Sequence, residues 1–169
     1  MLASGELATA SCLVSSILPR AVETAETIAP AVGGGELELH RDCDLCELHP
    51  GQADGLMQTE LEERFGRPDW SRDPAAPFAP DGESLVSFFE RATGALRRLA
   101  EAHPRETVAV VTHGGVVEAA MVGLLGLPFG ADAIGLDPAP CSLTWWSYAA
   151  PRWRLERYND AAHLLWRRS

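Results

Sequence analysis

The sequence contains no lysine: all 14 of its basic residues are arginine, set against 24 carboxylates. A P-loop, a Schiff-base or pyridoxal phosphate enzyme and a protein kinase each need a lysine amine, so these chemistries are excluded. Anions must be met by arginine, histidine or backbone N–H groups. No apolar run approaches the ~20 residues of a membrane-spanning helix. The opening stretch MLASGELATA lacks a basic n-region and a long apolar core, so it does not read as a secretory signal. The expected compartment is the cytoplasm. With a net charge of −10 the chain repels nucleic acid and anionic membranes, and neither is an expected partner. Cysteine is sparse, and Cys12, Cys43, Cys46 and Cys141 are expected as reduced thiols in that compartment.

What is present suits one domain over 1–169, with 46% hydrophobic and 22% charged residues. Residues 12–16 read as a buried strand and 20–31 as a helix opened by Pro19 and closed by the glycines at 33–35. Residues 36–40 alternate as a strand would. The stretch 43–57 reads as a loop, 58–66 as a short helix and 67–82 as a proline-rich loop. A long amphipathic helix is expected over 83–102, with Leu85, Phe88, Phe89, Ala92, Leu96 and Leu99 on one face. Residues 107–112 read as a parallel strand buried on both sides, and 114–125 as a helix closed by Gly126. A hairpin of strands 141–148 and 153–158 turns at Pro151. One of Trp145 and Trp146 is expected to face the core and the other to face away from it. The alternation predicts an α/β fold, a mostly parallel sheet flanked by helices on both faces. Ligands in such sheets sit beyond the carboxyl ends of the strands.

Two segments share one design at that edge. Leu13 to Arg20 is strand, turn and helix with an arginine in the first turn. Val108 to Gly115 is strand, His113, two glycines and helix. Helix N-termini attract anions through free N–H groups and the macrodipole, and arginine offers phosphate a two-pronged fork. Arg20 and His113 are therefore candidates for one anion site. Glu47, on a loop with Gly51 and Gly55, could protonate the leaving oxygen of a phosphate ester.

These stretches resemble the histidine phosphatase superfamily, in its phosphoglycerate mutase-like branch. Ser15-Ser-Ile-Leu-Pro-Arg-Ala-Val-Glu-Thr-Ala25 is similar to the family's S-P-L-x-R-A-x-x-T-A. Glu47, Gly51 and Gly55 match E-x-x-x-G-x-x-x-G, Gly82-Glu-Ser84 matches G-E-S, and Val110-Val-Thr-His-Gly114 resembles V-x-H-G. The closing Tyr158 to Leu164 resembles the family's last strand and tail. The resemblance implies a small phosphorylated substrate or inorganic phosphate as ligand and no cofactor. It implies phosphate binding by Arg20, His113, the Gly114 backbone and Ser16, with Glu47 as proton donor and His113 stabilising transition-state charge. The absence of the long insertions of true mutases favours a phosphatase.

The family's R-H-G motif, whose histidine attacks phosphorus, does not occur in the sequence. His40, His49, His103 and His163 lie outside the matched position. The resemblance then implies a chain that lacks the family's first strand and helix and has no nucleophile, so that it is inactive or strongly impaired. Its alternative is a non-catalytic phosphoester- or partner-binding module. Sheet edges left unpaired would invite a second copy of the chain.

His40, Cys43, Cys46 and His49 follow one another at three-residue steps. Cysteine and histidine together suit zinc. Zinc frameworks usually separate two ligand pairs by a longer loop, however. Four ligands at this spacing would strain a stretch that must also present Glu47, so no metal is expected.

Overall fold

A computed structural model describes residues 7–128 and 136–165. Met1–Glu6, part of the opening stretch MLASGELATA, lie outside the described residues. A three-stranded parallel sheet has the order β2-β1-β3, with β1 (Cys12–Ser15) between β2 (Leu39–Arg41) and β3 (Val108–Val111). Leu13 is opposite Leu39 on one side and Ala109 on the other.

Every residue of β1 is buried. Leu13 joins Leu7, Ala10, Val32 and Ala109 in one cluster, against which Ile28 of α1 (Pro19–Ile28) packs. Cys12 and Val14 point the opposite way, to Leu45 and to Ala95 of α3 (Leu85–Ala102). A strand covered on both faces needs apolar residues at successive positions, which is what the sequence supplies.

Helix α3 starts at a reciprocal cap: Ser84 Oγ accepts from Ser87 N at 3.1 Å, and Ser87 Oγ accepts from Ser84 N at 3.0 Å. Its Phe88, Phe89 and Ala92 pack on Val116 and Ala119 of α4 (Gly114–Leu125). Helix α2 (Gln58–Phe65) lies in the segment that leads into the proline-rich stretch. Strands β4 (Leu143–Ala149) and β5 (Arg152–Asp160) form an antiparallel hairpin, followed by the short α5 (Ala162–Leu165). Trp145 packs against the Leu13 cluster while Trp146 stands edge-on to Trp153, with ring centroids 6.4 Å apart. No helix among the described residues is long and apolar enough to cross a membrane.

Several boundaries differ from expectation: the long helix starts at Leu85, and the hairpin strands are Leu143–Ala149 and Arg152–Asp160. Residues 33–35 form a 3-10 turn, and the strand expected at 36–40 is instead β2 at Leu39–Arg41. The alternation of Glu36–His40 suggested an earlier start, but only Leu39 to Arg41 pair with β1. The helix expected over 20–31 ends at Ile28 and tightens to a 3-10 turn at Pro30, which has no N–H to extend an α-helix. The loop at 43–57 contains two further 3-10 turns, Cys43–Leu45 and Gly51–Ala53.

Candidate functional site

The carboxyl ends of β1 and β3 lie side by side because the strands pair in register from Cys12 with Val108 to Ser15 with Val111. The next residues on each chain therefore converge. Ser16 is fully buried and His113 is 8% exposed. Their side chains meet, Ser16 Oγ to His113 Nε2, at 2.7 Å. Ser16 Oγ also accepts from Leu18 N at 3.3 Å, which orients the hydroxyl within the turn into α1.

Arg20 occupies the second position of α1, after Pro19, and is exposed. His113 is the residue from which α4 begins. Burial holds the His113 imidazole below its ordinary pKa; the Arg20 charge lowers it further, and the Glu47 carboxylate pulls it up. Arg20 and Glu47 are thus both electrostatic neighbours of His113.

Glu47 is anchored at the start of α4. Its Oε2 accepts from Gly115 N at 3.1 Å, and its Oε1 from Leu48 N at 3.1 Å. A side chain at Gly115 would have to displace the Glu47 carboxylate. A Cβ at that position would overlap Glu47 Oε1 and sit 3.0 Å from Phe88 Cε1. Gly114 is less confined: its added Cβ would meet Pro138 Cγ at 3.4 Å, an ordinary contact. Glu118, one turn along α4, has its pKa raised by burial and then by the Glu47 charge.

The loop carrying Glu47 is held from behind by Arg91, a residue that sequence reasoning missed. Its guanidinium donates to the carbonyls of Asp44 at 2.9 Å, Cys46 at 3.1 Å, and Cys43 and Glu47 at 3.3 Å. It also pairs with Glu83 through two bonds of 2.7 Å. Glu83 Oε2 accepts from His49 N at 2.9 Å, closing the clamp on the far side of Glu47. Thr112 Oγ1 donates to Leu45 O at 2.7 Å and ties the same loop to the end of β3. The signal available in the sequence was an arginine on the border of the α3 apolar face, eight residues after the glutamate of Gly-Glu-Ser.

The first glycine after Glu47 also has a physical cause, whereas a Cβ at Gly55 would meet nothing within 4 Å. Gly51 has φ +61° and no room for a Cβ, which would overlap Gly82 N and Pro80 O. This close approach lets the end of the proline-rich stretch lie on the Glu47 loop, with Gln52 N donating to Pro80 O at 2.9 Å and Glu83 N to His49 O at 2.8 Å.

Of the four spaced Cys and His residues, three converge and one does not. Cys43, Cys46 and His49 place their ligand atoms within 4.8 Å of one another. His40 lies on β2, paired opposite Val14, and is not part of that group. Cys43 and Cys46 lie at the start and just past the end of the 3-10 turn Cys43–Leu45, which brings the two residues close together.

Comparison with known proteins places the chain in a family. Residues 2–161 match the sequence profile of the histidine phosphatase superfamily, branch 1. The chain is 39% identical over 112 residues to phosphoglycerate mutase-like protein 4 of Arabidopsis thaliana, covering 63% of this chain and 47% of that protein. It is 31% identical over 117 residues to phosphoserine phosphatase 1 of Hydrogenobacter thermophilus, covering 68% and 54%. The chain thus spans about half the length of these two curated relatives. Its fold is similar to that of mycobacterial glucosyl-3-phosphoglycerate phosphatase in complex with inorganic phosphate. The TM-score is 0.72 at 29% identity, over 92% of this chain and 79% of that one.

Proposed function

The chain belongs to the histidine phosphatase superfamily, and on that premise we propose that it is a phosphomonoester-binding phosphatase domain of the phosphoglycerate mutase-like kind. The observation that carries this reading is the convergence at His113: Ser16 touches it, and the charges of Arg20 and Glu47 are both felt by it.

In this reading Arg20 and the N–H groups that open α4 bind the non-bridging oxygens of a phosphomonoester, and His113 faces the phosphoryl group. Charge that grows on those oxygens in the transition state is stabilised by groups already in place. Glu47 delivers its proton to the leaving alkoxide as the P–O bond breaks. The carboxyl is positioned for this by Gly115 N, which donates to its Oε2 at 3.1 Å. In the family as the resemblance describes it, a histidine of R-H-G attacks phosphorus, and water then hydrolyses the phosphohistidine. These 169 residues contain no R-H-G. Within them water is the remaining nucleophile, and turnover is strongly impaired relative to the covalent route.

That same absence favours a second reading, a phosphoester-binding module without turnover. One experiment separates the two. Phosphate and vanadate affinity is measured by calorimetry on the purified chain, alongside hydrolysis of p-nitrophenyl phosphate. Saturable anion binding that weakens at least tenfold in Arg20→Ala and in His113→Ala supports the shared site. Slow hydrolysis lost in Glu47→Gln supports the phosphatase, and binding without hydrolysis supports the module. Anion affinity unchanged in both Arg20→Ala and His113→Ala would overturn the site altogether.

A further inference from the structure

We propose that Cys43, Cys46 and His49 form a binding site for one thiophilic metal ion of the zinc class, on the loop that carries Glu47. The three ligand atoms lie within 4.8 Å of one another, and Cys43 Sγ is 3.9 Å from His49 Nε2. Metal–ligand bonds of about 2.3 Å to sulfur and 2.0–2.1 Å to nitrogen at a tetrahedral angle require a separation of about 3.6 Å. The Cys43–His49 pair reaches that separation through a shift of a few tenths of an ångström, and no pair among the three ligand atoms has to close by more than about 1 Å.

The surroundings prepare the loop for this. The 3-10 turn has Cys46 N donating to Cys43 O at 2.9 Å, and Asp42 caps it by accepting from Asp44 N at 2.8 Å. Arg91 fixes the carbonyls of Cys43 and Cys46, so both cysteine backbones are held before any ion arrives. His49 is oriented too. Its backbone N–H donates to Glu83 Oε2, and that same oxygen lies 3.8 Å from Nδ1 while Nε2 faces Cys43. A carboxylate behind the distal ring nitrogen is the usual companion of a metal-bound imidazole.

Two thiols and an imidazole select a soft or borderline ion over Mg2+ or Ca2+, which take oxygen. Binding displaces the two thiol protons, and two thiolates neutralise a divalent charge. Cys46 is buried and Cys43 exposed, so the fourth tetrahedral position opens toward solvent and takes water. Glu47 lies between Cys46 and His49 in the chain. An ion joining those two residues cross-links the loop on either side of it.

The site is tested on tag-free, reduced chain titrated with Co2+ and then Zn2+ under anaerobic conditions. The expected result is one equivalent of Co2+ with a thiolate-to-metal charge-transfer band and the intense visible bands of tetrahedral Co2+, displaced by one equivalent of Zn2+. Cys43→Ser and His49→Ala should each weaken Zn2+ binding at least tenfold, while His40→Ala leaves it unchanged. Circular dichroism checks that each variant is folded. Because Cys43 is exposed, its serine variant tests the site without opening the core. A weak octahedral Co2+ spectrum, no displacement by Zn2+, or an equal loss in His40→Ala would overturn the proposal. None of these readouts depends on phosphate binding, so this test and that of the phosphatase reading fail separately.

Discussion

Arg91 and Glu83 meet in a two-pronged ion pair, Nε to Oε1 and Nη2 to Oε2, both at 2.7 Å. The side chains are only 14% and 16% exposed. The same guanidinium holds four carbonyls of the loop that presents Glu47. Truncating one partner leaves a mostly buried charge unpaired, which costs about 3–5 kcal/mol. Arg91→Ala should therefore lose stability on that scale in urea unfolding. Arg91→Lys should recover only part, since an ammonium cannot reproduce the fork.

The pair also gives a pH signature. Burial alone would raise the Glu83 pKa, but the Arg91 fork and the His49 N–H outweigh it and leave it below the ordinary value. The unfolded chain then holds more protons on this group as pH falls, so its contribution is present above about pH 4.5 and lost as pH drops through the folded pKa. Glu83→Gln should flatten the acid limb of stability against pH. An acid limb identical to that of the unsubstituted chain would contradict this.

The two glycines that open α4 should behave differently. Alanine favours a helix over glycine by about 1 kcal/mol. At Gly114 the added methyl meets only Pro138 at 3.4 Å, so Gly114→Ala should be neutral or slightly stabilising. At Gly115 it collides with the Glu47 carboxylate and crowds Phe88. Gly115→Ala should lose about 1–3 kcal/mol and dislodge Glu47 from its N–H anchor. Thermal denaturation of the two variants side by side checks this; equal behaviour would mean that Glu47 does not rest on Gly115.

How much of this was legible beforehand divides along sequence distance. Pro19 opening α1, Gly126 closing α4 and the unbroken apolar run in β3 are local signals, and the structure has these elements where the residues put them. β2 was misplaced because its limits are set by pairing with β1, which no local pattern encodes. Arg91 was missed for a related reason: its partners on the Glu47 loop lie 44 to 48 residues away, and an arginine at the border of an apolar face reads as solvated. The Cys43–Cys46–His49 grouping was visible as spacing, but its geometry depends on a 3-10 turn in a stretch read as loop.

Glu118 should destabilise the fold at neutral pH. Burial is the first cause of its raised pKa and the Glu47 charge the second. The folded chain holds more protons on it than the unfolded chain between the ordinary value and the folded one, so stability falls as pH rises through that window. Glu118→Gln removes the penalty. The expected gain at pH 7 is below about 1 kcal/mol once solvent screening is counted. A gain that persists at pH 3, below the ordinary glutamate value of about 4.3, would point to packing instead.

His113 gives the most direct reading of the pocket. In the free chain its pKa is lowered by burial and by Arg20, against the opposing pull of Glu47. Below the ordinary value of about 6.5 the unfolded chain takes up this proton first. The contribution of His113 to stability is thus present above that pH and lost as pH falls through the folded value. A bound phosphate dianion reverses the balance, because an anion beside an imidazole favours its charged form. Following the His113 ring signals by NMR against pH should show an upward shift of the midpoint when phosphate saturates the chain. By linkage, phosphate should bind more tightly to the protonated imidazole, to the extent that the dianion itself remains ionised. The Ser16 contact resists this: a hydroxyl that donates to Nε2 of the neutral ring must turn to accept when the ring is charged. Ser16→Ala removes that reorientation and leaves the shift on phosphate binding at least as large. A midpoint unmoved by saturating phosphate in both forms would place the anion elsewhere and leave His113 as a buried, hydrogen-bonded core residue.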